Sequence, residues 1–194
     1  MKILLLCEPR SGSTNLGRWF HFQNIFDVRW ESAAVGSVDY VRGGIKNLIQ
    51  KPDKKHIVLK EIYYGRLGKI RLNWEEYLDW ADKIVFLHRE DGHDQAISWN
   101  HAMITGNFCS SYPSDDGVQL LDMHMKSFKH QKKTFAEFRE KFAARGLTIS
   151  YEDLYMRDKI HILIEYLGLK NELNRKFPEG QKLRYYKGKN TRLI

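Results

Sequence analysis

Cysteine is scarce in this sequence. Cys7 and Cys109 are the only two among 194 residues, too few for a disulfide framework or a cysteine-rich zinc cluster, so a reducing compartment is the expected setting. The eight histidines are scattered, with no H-x-x-x-H and no C-x-x-C arrangement, and no metal is expected. Long apolar runs are also missing, which argues against a membrane span. The opening apolar run is too short for a signal peptide and meets Glu8-Pro9-Arg10 at once, so a soluble, cytoplasmic protein is expected. Internal repeats and low-complexity segments are absent. The loop that follows the opening run has a single Gly and no Lys. That argues against the G-x-x-x-x-G-K-[ST] loop of a P-loop kinase or NTPase. A cysteine phosphatase loop is excluded by its own spacing: C-x5-R counted from Cys7 ends on Ser13.

What the chain does have is enough apolar residue to fold. Its length suits one domain over residues 1–194 with a real core, and 42% hydrophobic with 13% aromatic residues argues for a globular fold over disorder. Lys and Arg exceed Asp and Glu by 32 to 24, a net charge of +8. Such a balance suits a polyanion: nucleic acid, a membrane surface or a nucleotide with several phosphates. The charge does not choose among them. Lys182, Arg184, Lys187, Lys189 and Arg192 gather near the end, where the simplest meaning is a solvated basic tail.

Periodicity predicts strands over 2–7, 26–30, 56–60, 83–87 and 147–151. Helical spacing of apolar residues follows Gly12 (Leu16, Trp19, Phe20), and recurs over 38–50, 74–81, 94–103, 118–144 and around Ile160, Leu163, Ile164 and Leu167, where Gly168 stops it. The segment 107–116 is rich in Ser, Gly, Pro and Asp and reads as a loop. Strands alternating with helices predict an α/β fold: a P-loop-like three-layer sandwich with a parallel sheet of about five strands. The Phe stripe of the long helix, from Phe128 to Phe142, belongs to its core face.

A ligand of such a sheet lies beyond the carboxyl ends of the strands. Arg10 to Thr14 follow the first strand, Glu31 the second, Lys60 and Glu61 end the third, His88 and Arg89 follow the fourth, and Tyr151 ends the fifth. The first of these is a strand, a tight loop and a helix. Small residues there let backbone N–H groups close on an oxyanion, and the helix N-terminus adds favourable potential. Arg10 brings a positive charge, Ser11, Ser13 and Thr14 bring hydroxyls, and Ser13 or Thr14 is expected to cap the helix. A Ser/Gly turn that only reverses the chain is the plainer reading of the same residues. Further on, Arg89 and Ser98, nine positions apart across a strand end and a helix start, have the means to converge on one phosphate. The plainer reading pairs Arg89 with Asp91 or Asp94 and leaves Ser98 an ordinary helix residue.

Arg10-Ser11-Gly12-Ser13-Thr14 resembles the 5′-phosphosulfate loop of the sulfotransferases that use PAPS (3′-phosphoadenosine 5′-phosphosulfate; the desulfated product is PAP). The run from His88 to Ser98 fits H-R-x-D-x-x-x-Q-A-[VI]-S and most resembles the trehalose 2-sulfotransferase branch, one residue longer than in the cytosolic enzymes. Tyr151-Glu152-Asp153-Leu154 with Tyr166-Leu167-Gly168-Leu169 is similar to the family's Y-E-D-[LM] and F-L-G-L pair. Lys187-Gly188 resembles the late R-K-G loop, with Tyr186 in place of the Arg and Arg184 as a substitute. The resemblance implies a sulfotransferase without a metal. Arg10 to Thr14 would hold the 5′ end, Arg89 and Ser98 the 3′-phosphate, Tyr151 the adenine, and Lys187 and Gly188 would cover the 3′-phosphate. Tyr151 reads equally well as a strand-end core residue.

The resemblance also implies in-line transfer to a hydroxyl of a small-molecule or sugar acceptor. Arg10 and Lys60 would stabilise charge on the leaving phosphate, and a general base would be needed. The histidine that serves in cytosolic enzymes is here Ile62. The trehalose branch uses a Glu after the second strand, for which Glu31 is the nearest match; Glu61 is the second candidate, and either also reads as a solvated carboxylate. Two other readings remain: a P-loop-type kinase or NTPase, and a non-catalytic basic protein that binds nucleic acid.

Overall fold

The computed structural model describes residues 1–30, 54–63, 73–105 and 121–177. Glu31, Cys109, Arg184, Lys187, Gly188, the helix expected over 38–50 and the loop expected over 107–116 lie outside the described residues.

Five strands form one sheet: β1 (Lys2–Cys7), β2 (Phe26–Trp30), β3 (His56–Ile62), β4 (Lys83–His88) and β5 (Leu147–Ser150). Their order is β2-β3-β1-β4-β5 and every neighbouring pair is parallel. Around the sheet lie α1 (Ser13–Phe22), α2 (Trp74–Trp80), α3 (Gly92–Thr105), α4 (Asp122–Lys141), α5 (Tyr151–Tyr155) and α6 (Ile160–Leu167). The expected α/β sandwich is therefore the observed one.

Side chains alternate across a strand, and β1 shows why both faces need cover. Ile3, Leu5 and Cys7 join Leu16, Trp19 and Phe20 of α1 and Leu163, Ile164 and Leu167 of α6 on one face. Leu4 and Leu6 join Trp74, Tyr77 and Leu78 of α2 and Phe135 of α4 on the other. Burying each large apolar side chain contributes roughly 1.5–3 kcal/mol, so a five-residue apolar strand is stable here only as the middle of three layers. A smaller cluster of Ala96, Trp99 and Phe128 seats α3 on α4.

Two local expectations change. Neither Ser13 nor Thr14 caps α1: the N-cap is Gly12, left-handed at φ 77°, with no side-chain cap. Its backbone geometry is one that a residue with a Cβ adopts at a cost, and this outweighs the usual Ser/Thr preference. Tyr151 does not end β5 but begins α5, whose N-cap Ser150 accepts the Asp153 N–H at 3.0 Å. Gly146 follows the α4 region in extended geometry, and a Cβ there would lie 2.6 Å from the Ile84 carbonyl, so close packing on β4 demands glycine. Gly168 is the left-handed stop that the sequence predicts.

The strand order sets the site. The connection from β1 leads toward β2 on one side of the sheet and that from β4 toward β5 on the other. Neighbouring β1 and β4 therefore open a crevice at their carboxyl ends, the switch point where ligands of such sheets bind.

Candidate functional site

The loop that leaves β1 is tightly made. Glu8 N–H donates to Leu87 O at 2.9 Å, extending the β1–β4 ladder by one bond, and Ser11 N–H returns to Glu8 O at 3.3 Å. Arg10 takes a positive φ of 60° and Gly12 one of 77°. A Cβ on Gly12 would meet the Tyr151 ring at 2.6 Å, so glycine is required twice over, by conformation and by contact. The Gly12 carbonyl accepts from Asn15 N–H, Leu16 N–H and the Tyr155 hydroxyl at 3.0, 3.3 and 3.1 Å. Burial raises the Tyr155 hydroxyl pKa well above its usual range, so it stays a donor. The first N–H groups of a helix have no intrahelical acceptor, and those of Ser13 and Thr14 have none among the described residues. Ser11 is fully buried and its hydroxyl has no partner among the described residues. An orphaned buried hydroxyl is rare in native structures. Beside it sits a helix N-terminus, the setting that favours an anion.

The second loop leaves β4, and its polar groups are engaged. Arg89 N–H donates to Glu8 Oε2 at 3.0 Å, and the Glu90 and Asp91 N–H groups donate to the two Glu152 oxygens at 2.9 and 3.0 Å. Gln95 Nε2 donates to Glu8 Oε2 at 2.9 Å and to Pro9 O at 2.6 Å. Lys132 reaches across from α4 to Arg89 O at 2.7 Å and Gln95 Oε1 at 2.9 Å, with its ammonium 3.7 Å from Glu8. Outside these, Arg157 forks Glu90 at 3.0 and 2.8 Å and also holds Asp153 at 2.9 Å. Hydrogen bonding, first from Arg157, lowers the Glu90 pKa to about 2, and bonding first from Lys159 lowers that of Asp153 to about 2.

The expected site residues that the structure describes fall in a pattern of their own. Arg10 Nε donates to Ser98 Oγ at 2.8 Å, joining residues that the sequence assigns to opposite ends of a ligand. Arg89 is not joined to Ser98. Its guanidinium lies 4.6 Å from the Tyr151 ring centroid, 3.4 Å from Asp94 and 3.9 Å from Glu152, and its Nε has no hydrogen bond among the described residues. The pairing with Asp94 is thus present, and one guanidinium nitrogen still lacks an acceptor. Burial, then the neighbouring Asp91, raises the Asp94 pKa. Tyr151 is buried at 4% exposure, with Gly12 at its edge and Arg89 over its face.

Lys60 and Glu61 are both fully buried but part company. Val58 and Ile62 belong to the α1 face and Leu59 and Tyr63 to the α2 face, so alternation puts Lys60 with α1 and Glu61 with α2. The Lys60 ammonium lies 5.6 Å from the centroid of Trp30, the last residue of β2. Glu61 is close enough to Tyr77 to help burial raise that hydroxyl to about 12. His88 is neutral at physiological pH, lowered to about 4 by burial first and by Arg139.

Sequence reasoning missed Glu8, Gln95, Lys132 and Glu152. Gln95 and Glu152 were unassigned letters of the two longer motifs; Glu8 and Lys132 carried no signal beyond a strand end and a helix surface. Among the described residues no cluster of His, Cys, Asp and Glu could hold a metal ion, and no helix is long and apolar enough to cross a membrane.

No protein-family model matches the chain, and no curated protein matches it. Among solved structures it is similar to the crystal structure of mouse sulfotransferase SULT7A1 complexed with PAP, with a TM-score of 0.53 and 15% identity. The match covers 87% of this chain and 58% of that one, so the chain spans little more than half of that enzyme's length. The two share a fold.

Proposed function

We propose that this chain is a sulfotransferase that takes its sulfuryl group from PAPS and passes it to a hydroxyl of a small-molecule or sugar acceptor. One observation carries the reading: the loop after β1, where the buried Ser11 hydroxyl without a partner, the left-handed Gly12 and Arg10 meet the start of α1. The fold shared with a PAP-complexed sulfotransferase supports it, as do the motifs around Arg10 and Arg89.

The residues present fit the donor. Ser11, the N–H groups that start α1 and Arg10 would take its 5′ end. Arg89, with its unengaged Nε, and Ser98 would take the 3′-phosphate, covered by Lys187 and Gly188. PAPS, when bound, supplies a sulfuryl group already activated on a phosphate. Arg10 and the loop hydroxyls and N–H groups stabilise the negative charge that grows on the leaving phosphate oxygen, and Lys60 adds a cation from the α1 face. Tyr151 has little surface left for an adenine, and its role in this reading is to hold Gly12 and Arg89 in place. Glu31 takes the acceptor proton, with Glu61 as the second candidate. No metal, nucleic-acid partner or membrane anchorage belongs to the reading. The likeness of residues 88–98 to the trehalose 2-sulfotransferase branch makes a sugar hydroxyl the first acceptor to try.

Two measurements test it. Saturating PAP should raise the melting temperature, because a ligand of the folded state stabilises it by mass action, and labelled sulfate should pass from PAPS into a sugar-containing extract. A shift with ATP and Mg²⁺ but none with PAP would reassign the chain to the P-loop kinases or NTPases.

A further inference from the structure

The peptide unit that carries Arg89 is gripped at both ends by ionisable groups from elsewhere in the fold. Its N–H donates to the Glu8 carboxylate at 3.0 Å, and its carbonyl accepts from the Lys132 ammonium at 2.7 Å. The two grips are 3.7 Å from each other. Gln95 closes the figure, donating to Glu8 and to Pro9 O while accepting from Lys132. Glu8 and Gln95 are 3% and 0% exposed, and Lys132 comes from α4, a different helix from the α3 that carries Gln95. Glu8 is also two residues from Arg10, and its own N–H is bonded to β4.

A buried carboxylate is costly unless it is paired and fully hydrogen-bonded. This one is satisfied by groups that also hold the two loops of the crevice. Resting on the functional reading above, we infer that Glu8, Gln95 and Lys132 form a positioning bracket that fixes the distance between the Arg10 loop and Arg89, and so selects a nucleotide with anions at both its 5′ and 3′ ends. None of the three touches the ligand in this arrangement. They act through the backbone of Pro9 and of Arg89. With Lys132 removed, Glu8 is left buried beside an unanchored loop, and Arg89 loses its fixed place while the Arg10 loop, closed by its own bonds to Gly12, keeps its shape.

The test compares PAP with AMP, which lacks the 3′-phosphate, by calorimetric titration of the full chain. In Lys132→Met the affinity for PAP should fall by roughly tenfold or more, the scale of a charge-assisted contact, while that for AMP changes little. Lys132→Arg, which keeps the cation and the donors, should restore the preference. A general loss of structure would lower both affinities together and overturns the bracket, as does an unchanged preference in Lys132→Met. If Lys132→Met does not fold, Lys132→Gln is scored by the same ratio. A wild-type chain that does not prefer PAP to AMP overturns the functional reading and the bracket with it; a wild type with the preference and an indifferent Lys132→Met overturns the bracket alone.

Discussion

The two loops at the switch point are built on opposite plans. Among the described residues, the loop after β1 leaves polar groups open: the Ser11 hydroxyl and the N–H groups of Ser13 and Thr14. The loop after β4 gives three successive N–H groups to the internal carboxylates Glu8 and Glu152. Where the first offers a ligand its main chain, the second offers only a side chain, Arg89. Backbone donors fix an anion by geometry, and any oxyanion of the right size satisfies them. A guanidinium held by Tyr151, Asp94 and Glu152 acts as a point of selection instead. In the proposed reading the first loop thus binds and the second discriminates.

The largest test asks whether either loop also supplies the general base. In the proposed reading neither does. Glu31→Gln should lower turnover by roughly 10²- to 10⁴-fold, the usual worth of a general base, with PAP affinity at both loops unchanged. Glu61→Gln should be milder. Normal turnover in Glu31→Gln with a loss in Glu61→Gln moves the base to Glu61; if both remain active, His88 and His93 beside the second loop become the candidates and the division of labour breaks.

Next in size is a matched pair of glycines. Gly12→Ala places a Cβ 2.6 Å from the Tyr151 ring at a positive φ. The left-handed conformation alone costs about 1–2 kcal/mol, and the contact adds to it. At Gly92, which begins α3, a Cβ would meet only the end of Lys132 at 3.7 Å, and alanine should be neutral or stabilising by about 0.5 kcal/mol. Denaturant melts and PAP titrations of both variants measure the contrast. Equal losses would mean that the two loops are equally constrained.

Arg89→Ala comes third. It should weaken PAP binding by about 2–3 kcal/mol, as for a charge-assisted bond, and leave AMP nearly untouched, whereas Arg10→Ala should weaken both. Parallel losses in Arg89→Ala would return Arg89 to a structural role with Asp94.

These contrasts were only partly legible in the sequence. The apolar runs of β1 and β4 stand out because strands buried on both faces admit little else, and residues 10–14 announce their loop through small side chains and charge. Glu8 was silent because its meaning depends on β4 lying next to β1, a fact of strand order 81 residues away. Lys132 was one lysine among several between the phenylalanines; periodicity tells which face of a helix is apolar, not what its other face will meet. Glu61 was grouped with Lys60 by adjacency, although adjacency in a strand means opposite faces.

The smallest effect is acid sensitivity of the second loop alone. Glu90 and Asp153 have ordinary values of 4.5 and 3.8 and are held at about 2 in the folded chain by Arg157 and Lys159. A lowered folded pKa means stability that is present above the unfolded value and is lost as pH falls toward 2. Glu90 is exposed and Asp153 half-buried, and both are screened by salt, so the effect is modest. Protection of the 89–91 amides against hydrogen exchange, relative to their intrinsic rates, should fall between about pH 4.5 and 2, and Arg157→Ala should flatten that trend. Amides 11–14, which donate to no carboxylate among the described residues, should show no matching step; one of similar size would erase the difference between the loops.

One junction touches both plans. Ser150 turns the chain from β5 into α5 within a single residue, and the next two side chains go separate ways, Tyr151 to Gly12 and Arg89, Glu152 to the amides of Glu90 and Asp91. A helix turns about 100° per residue. Inserting one residue after Ser150 would therefore rotate α5 by about that angle and carry both side chains off their targets at once. Substitution at this point removes one contact, but a change of length removes them all. For this chain the distance from Ser150 to Glu152 is therefore a fixed count.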